Sequence, residues 1–211
     1  MSEKTPRPYG TLLLFLFWGL LLATVFYWML PDKTVPPELQ GVLRPEPKQL
    51  QAFELSDQYR QPFNLEHLKG KWSFVFFGYT HCPDICPTTL STLTRVIKKL
   101  QTDPQTLPNA QVVFVSVDPQ RDTPDVLESY MKYFNEAFQG ITGTQQDIDS
   151  LTRQFGAGYM KEPETTPGEY LVSHASSIFL VDPHGQLLAT FPPPHDPDTI
   201  VEQFQQIRSL F

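Results

Sequence analysis

Trp72-Ser73-Phe74-Val75-Phe76-Phe77-Gly78-Tyr79-Thr80-His81-Cys82-Pro83-Asp84-Ile85-Cys86-Pro87 is the stretch whose reading decides the fold. Its first half, Trp72 to Tyr79, is apolar without alternation, as a central strand covered by helices on both faces is. Its second half holds both cysteines of the 211-residue chain, at the seam between that strand and an amphipathic helix. Leu90, Leu93, Ile97 and Leu100 recur at helical spacing beyond the seam, and Lys98 and Lys99 suit a last turn. Cys86 reads as the N-cap of this helix, with Pro87 at its first position, where a missing N–H costs nothing. Unpaired N–H groups and the positive dipole end favour sulfur as an anion there. The expected chemistry is redox, soft-metal binding, or both.

Outward from this stretch, Phe53 to Leu55 and Pro62 to Leu65 suggest a short hairpin. Val112 to Val117 is a second β-branched strand, followed by Thr123-Pro124 as cap and first residue of a helix. Leu127, Tyr130, Met131, Phe134 and Phe138 give that helix its buried face, and a shorter helix is expected over Gln145 to Phe155. Val172 to Val181 is strand-like, and Asp182-Pro183-His184-Gly185 turns into a partner strand, Gln186 to Phe191. A helix from Pro197 to Leu210 closes the chain. The order ββαβα(α)ββα predicts an α/β fold with a mixed sheet flanked by helices, the order of a thioredoxin-like domain.

Thr11 to Leu30 is a run of 20 residues without a charge, dense in Leu and Phe. That length crosses a hydrocarbon core of about 30 Å. Lys4 and Arg7 precede it, so residues 1–10 are expected in the cytoplasm and 11–30 as a single transmembrane anchor in the inner (cytoplasmic) membrane. The domain then lies in the periplasm or an equivalent exported space. A cleaved signal peptide is the competing reading, but no small-x-small site follows, and Trp18, Tyr27 and Trp28 resemble interfacial anchors. Residues 31–49 carry five prolines and little periodicity and read as a semi-extended linker, with the domain over 50–211. Of the net charge of −7, residues 1–31 contribute +1 and the remainder −8. An acidic domain without a basic cluster is a poor candidate for nucleic-acid binding.

Two cysteines separated by Pro83-Asp84-Ile85 have three readings. A structural disulfide suits an oxidising compartment, but a bridge over so short a loop constrains little of the unfolded chain. A thiol–disulfide oxidoreductase generally has two intervening residues, not three. A metal site recruits a third ligand: two thiolates select Cu(I), Zn or an iron–sulfur centre, and a histidine completes a trigonal set for copper. A peroxidase is a weaker fourth reading, because no threonine and arginine setting for a peroxidatic cysteine is identifiable. Of five histidines, His67 reads as surface, and His184 and His195 as solvated. His81 is turned away from the cysteines by strand alternation. His174, at the start of the penultimate strand, lies opposite the cysteine loop if the fold is thioredoxin-like. A thioredoxin places a cis-proline there, and this chain has no proline between Pro167 and Pro183.

Three ordered segments, Gly78 to Pro87, Ser116-Val117-Asp118-Pro119-Gln120-Arg121-Asp122-Thr123-Pro124, and the His174 segment ending in Asp182-Pro183-His184-Gly185, resemble the Sco (SenC) family over roughly residues 45–210. That resemblance implies a membrane-anchored copper protein in which Cys82, Cys86 and His174 bind one copper ion, Cu(I) or Cu(II). It implies a metallochaperone or thiol-redox factor that helps mature the binuclear copper centre of cytochrome c oxidase. Its partners would be the copper-receiving oxidase subunit and other copper chaperones or thiol reductants. Cys82 is expected to be the more exposed sulfur and Cys86, at the helix N-cap, the more readily ionised. Cys82 and Cys86 would be the redox-active pair if thiol activity exists. The alternative is a membrane-tethered thiol–disulfide oxidoreductase to which copper binding is incidental. Asp118, Arg121 and Asp122 are expected to organise the loop beside the site. The chain departs from the family's usual pattern in having Ser173 and Ala175 around the histidine, where Asp and Ser are common.

Overall fold

The computed structural model describes residues 9–29, 36–102, 109–164 and 166–211, with side-chain placement over 13–26 in the first of these. The chain divides into two compact units, residues 1–36 and 37–211. In the first, Tyr9–Met29 forms a helix, α1. Leu13–Phe26 are all exposed, so leucines, phenylalanines and Trp18 face outward on every side. That stretch covers about 21 Å at 1.5 Å per residue. Among the described residues no helix is long and apolar enough to cross a membrane. The expected N-terminal segment 1–10, apart from Tyr9 and Gly10, the last residue of the expected anchor, Leu30, and residues 31–35 of the expected linker lie outside the described residues.

In the second unit the strands and helices run β1 (Leu43–Gln49), β2 (Glu54–Asp57), β3 (Pro62–Asn64), β4 (Trp72–Gly78), α2 (Ile85–Thr102), β5 (Ala110–Ser116) and α3 (Pro124–Phe134). They continue as β6 (Gln139–Thr142), α4 (Gln145–Phe155), β7 (Tyr159–Lys161), β8 (Val172–His174), β9 (Ile178–Val181), β10 (Gln186–Phe191) and α5 (Pro197–Leu210). Eight strands form one mixed sheet in the order β1-β10-β9-β4-β5-β6-β2-β3, while β7 and β8 form a separate two-stranded ribbon. The arrangement is the expected thioredoxin-like one. Alternation divides the core in two. Phe74 and Phe76 of β4 and Phe114 of β5 face Leu90, Leu93, Leu127 and Phe204 on one side of the sheet. Val75 and Phe77 face Leu151, Phe155 and Phe179 on the other. Each such side chain taken out of water contributes about 1.5–3 kcal/mol, which makes β4 the spine of the domain.

Helix starts follow the sequence closely. The Thr123 hydroxyl accepts from the Val126 N–H ahead of Pro124, and Asp196 accepts from the Thr199 N–H ahead of Pro197. Thr144 caps α4, and Gly156 ends it at φ 71°, a left-handed backbone that favours glycine.

Three expectations need correction, and one strand had no counterpart among them. Leu43–Gln49, read as linker, is β1, and residues from Pro37 onward belong to the domain. Pro45 and Pro47 are tolerated because β1 is an edge strand that pairs only with β10. Val172–Val181 is two strands, broken over residues 175–177, rather than one. Helix α3 stops at Phe134, so Phe138 is buried from the turn that follows and not from the helix face. Strand β6 was not anticipated, because Gln139-Gly140-Ile141-Thr142 is short and contains a glycine. Gly140 is required there: a Cβ would lie 2.9 Å from the Met131 side chain of α3.

Candidate metal centre

Topology brings the two halves of the site together. β4 runs parallel to β5 and antiparallel to β9, with Phe76 opposite Ile178. The chain leaving β4 at Gly78 and the chain about to enter β9 therefore lie at the same end of the sheet. The first carries Cys82 and Cys86, and the second carries His174. Helix α2 begins two residues earlier than the sequence indicated, at Ile85 rather than Pro87. The Asp84 carbonyl accepts from the Thr88 N–H, so Cys86 sits inside the first turn and is not the cap.

One donor atom from each of Cys82, Cys86 and His174 lies within 4.8 Å of the others, the one such cluster of three found among the described residues. Cys86 Sγ is 3.4 Å from His174 Nε2. His174 Nδ1 lies 3.0 Å from the Ala175 carbonyl, which can only accept, so Nδ1 carries the proton and the Nε2 lone pair points at the sulfurs. The imidazole is held edge-on to Phe76 and Tyr79, each 5.9 Å away between ring centres. Three donors about 2–2.3 Å from one ion lie roughly 4 Å apart, so this set closes on a single ion with a small contraction. Two thiols and an imidazole suit copper, and the residues fit it.

Both cysteines are free thiols; Cys82 is partly exposed and Cys86 fully buried, as expected for exposure. The expectation for ionisation is reversed. Hydrogen bonding from the Cys86 thiol holds Cys82 well below the ordinary thiol range, with the backbone N–H groups of Cys86 and Asp84 adding to it. Cys86 is pushed up, first because it is the donor to Cys82 and then by burial. Its bond to Cys82 and its burial together outweigh the lowering pull of the Tyr79 backbone. In the reduced, copper-free protein, iodoacetamide should therefore label Cys82 first and still react near pH 6, leaving Cys86 unmodified. Peptide mass mapping reads the site, and preferential labelling of Cys86 would reverse this assignment.

The ground beneath the loop is packed tightly. A Cβ on Gly78 would lie 2.6 Å from Cys86 Sγ and 2.9 Å from Phe114, so the first residue of the motif must be glycine for the sulfur to fit. Asp122, fully buried, accepts from the Ser116 hydroxyl (2.6 Å), the Thr80 hydroxyl (2.6 Å) and the Thr80 N–H (3.0 Å). It fixes the backbone two residues before Cys82.

Residues 43–209 match the SCO1/SenC family. The chain belongs to that family. It is 41% identical over 146 residues to a Stutzerimonas stutzeri protein provisionally named as copper-binding, a match covering 69% of this chain and 70% of that protein. The crystal structure of Arabidopsis thaliana ScoI with copper bound superposes with a TM-score of 0.70 at 33% identity, over 75% of this chain and 98% of that one. BsSco, described as carrying a disulfide switch and as a member of the Sco family of cytochrome c oxidase assembly proteins, superposes with a TM-score of 0.63. Its identity is 27%, over 82% of this chain and all of that one.

Within this SCO1/SenC domain the remaining histidines stay away from the sulfurs. His67 and His184 are exposed, and His81 lies beside the Thr80 hydroxyl at 3.1 Å. His195 corrects an expectation. It is half-buried rather than solvated, its Nε2–H donates to the Ser176 carbonyl at 2.8 Å, and burial lowers its pKa. Glu162 was not singled out in the sequence. Its carboxylate accepts from the Ser173 hydroxyl at 2.5 Å and lines, with Cys82, Asp84 and His174, a cavity of about 340 Å³. A carboxylate thus stands beside the histidine although Ser173 occupies the preceding position. Tyr79 and Tyr170 were missed as well, since nothing in their local sequence marks which loop each would meet.

Proposed function

We propose that this SCO1/SenC protein binds one copper ion through the Cys82 and Cys86 sulfurs and His174 Nε2. It serves the maturation of the binuclear copper centre of cytochrome c oxidase, as a donor of copper or a reductant of the receiving subunit's cysteines. The observation that carries this reading is the convergence of two thiols and an inward-facing imidazole lone pair in one partly exposed cluster. Two thiolates favour Cu(I), and the imidazole keeps Cu(II) within reach. The cavity over Cys82 leaves a partner room to approach a sulfur. The partner is the copper-receiving oxidase subunit, and other copper chaperones or thiol reductants load or reduce the site. On this reading the N-terminal helix is the membrane anchor expected over 11–30, and the domain lies in the periplasm or an equivalent exported space; the apolar side chains exposed over 13–26 support it.

An anaerobic Cu(I) competition titration of the full chain in mild detergent tests the copper site. We expect one ion per chain, and His174→Ala should weaken binding by about 100-fold or more, at or beyond the 10–100-fold typical of losing a group that only supports a ligand. Equal binding by the variant would sink the three-ligand site. One observation favours a second reading, thiol–disulfide oxidoreductase. Cys82 is a partly exposed thiolate with a buried thiol behind it, the disposition of an attacking and a resolving sulfur. Turnover of a disulfide substrate at an undiminished rate by His174→Ala would support it.

A further inference from the structure

The His174 ribbon is not hydrogen-bonded into the main sheet. Its backbone–backbone hydrogen bonds, Ala175 N–H to Gly158 O and Glu162 N–H to Leu171 O, stay within β7, β8 and their flanks. Side-chain contacts must hold β8 against the cysteine loop, and one is direct: the Tyr79 hydroxyl is hydrogen-bonded to the Val172 backbone. On the β7 side, the Tyr159 hydroxyl bonds Asp149 and Gln145 of α4. Beyond β8, His195 bonds Ser176. Tyr170, two residues ahead of β8, is met by a cluster centred on Arg121. The Arg121 guanidinium donates from Nη1 to the Tyr170 carbonyl at 3.0 Å and from Nε to Asp118 at 2.5 Å. The Tyr170 hydroxyl donates to the same carboxylate at 2.7 Å. The guanidinium carbon lies 3.6 Å from the centre of the Tyr170 ring and 5.5 Å from that of Tyr79. Tyr79 is edge-on to His174, and its carbonyl accepts from the Cys82 N–H. One cation therefore touches a tyrosine from each half of the centre.

We propose that Arg121 is a positioning residue for the metal centre: by holding Tyr170 to Asp118 and stacking between Tyr170 and Tyr79, it sets β8 so that His174 Nε2 faces Cys86. The local reading of Asp118-Pro119-Gln120-Arg121, a loop organised by its own ion pair, accounts for the Asp118 contact but not for the reach to Tyr170, 49 residues away. Asp118 and Tyr170 are buried and Arg121 nearly so, which keeps these contacts out of competing water. Lysine cannot replace this side chain, because an ammonium lacks the planar fork that reaches carboxylate and carbonyl together while lying flat on a ring. The effect on copper rests on the three-ligand reading, whereas the placement of β8 does not.

The test uses the full chain in mild detergent with Arg121→Met, His174→Ala and the double variant. In anaerobic Cu(I) competition, Arg121→Met should weaken binding about 10–100-fold, as loss of a ligand-supporting group does. Arg121→Lys should not restore it. Because Arg121 acts through His174, the double variant should bind within about twofold of His174→Ala alone. Hydrogen exchange of the copper-free Arg121→Met protein should accelerate over 170–174 and leave α2 and β4 unchanged. Unchanged affinity in Arg121→Met, or a double variant weaker than His174→Ala by the full Arg121 factor, would overturn the proposal. If His174→Ala binds copper like the parent, the ligand reading fails instead, and the exchange of 170–174 alone decides for or against Arg121. Should Arg121→Met not fold, Tyr170→Phe removes only the hydroxyl bond to Asp118. It should show a smaller loss in the same direction, and parental affinity and exchange in that variant would count against the clamp.

Discussion

Oxidising the copper-free protein to a Cys82–Cys86 disulfide should bring Cu(I) binding below detection, and reduction should restore it in full. The two sulfurs belong to a cluster within 4.8 Å, one of them partly exposed and the other behind it. With glutathione disulfide as oxidant, the Cys82 thiolate attacks one of its sulfurs and releases one glutathione thiolate, which takes up a proton. The Cys86 sulfur, losing its proton, then attacks the mixed disulfide and releases the second. Two protein thiols are oxidised and one glutathione disulfide is reduced to two thiols. Only the thiolate is a strong ligand for a soft ion, and a disulfide offers neither charge. His174 would remain as a single imidazole, so this change should exceed any single substitution around the site. Thiol counting before and after oxidation, with Cu(I) competition on each sample, makes the comparison. Retention of one tightly held ion by the fully oxidised protein would mean that the thiolates are not the ligands.

Such coupling would make copper occupancy depend on the local thiol–disulfide balance, and it would follow from where the fold puts each group. Much of that placement was legible in the sequence. The apolar run Phe74–Phe77 marked β4, both cysteines followed soon after it, and Thr123-Pro124 and Pro197 marked the starts of α3 and α5. Cys82, Cys86 and His174 meet as expected. Groupings made by chain crossing were less legible. The order of ionisation of the cysteines depends first on the hydrogen bond from Cys86 to Cys82 and then on burial of Cys86 under Gly78 and Phe114, which no spacing reveals. The break at residues 175–177 is hidden because Val172 and Ile178 both look like strand residues, although only β9 joins the main sheet. β1 was hidden by its prolines, which an edge strand accepts. Glu162, Tyr79 and Tyr170 carry no local mark of function and acquire one only when the ribbon folds back over the cysteine loop.

Asp122→Ala should cost about 3–5 kcal/mol of domain stability, since each donor left buried without a partner costs roughly 1–3 kcal/mol. Three bonds are at stake, from the Ser116 hydroxyl and from the hydroxyl and N–H of Thr80. Relaxation of the hydroxyls offsets part of the sum. For a domain of this size the melting temperature should fall by roughly 10 °C or more. The same carboxylate supplies a pH signature. Burial pushes its pKa up against the pull of the Ser116 and Thr80 bonds, and neighbouring Asp118 adds a little in the upward direction. His81 Nδ1 lies 3.8 Å away and faces the same carboxylate. With the folded pKa above the unfolded value, Asp122 contributes most below the unfolded pKa, and the contribution is lost as pH rises through the folded one. Asp122→Asn, which does not titrate, should therefore lag the parent most at acidic pH and draw closer to it as pH rises. Urea unfolding of parent, Ala and Asn variants across that range measures both effects. A gap between parent and Asn that widens with rising pH would show that the charged form is the stabilised one. An Ala variant as stable as the parent would show that Thr80 and Ser116 find other partners. The loop ahead of Cys82 would then be held by packing under Gly78 rather than by this carboxylate.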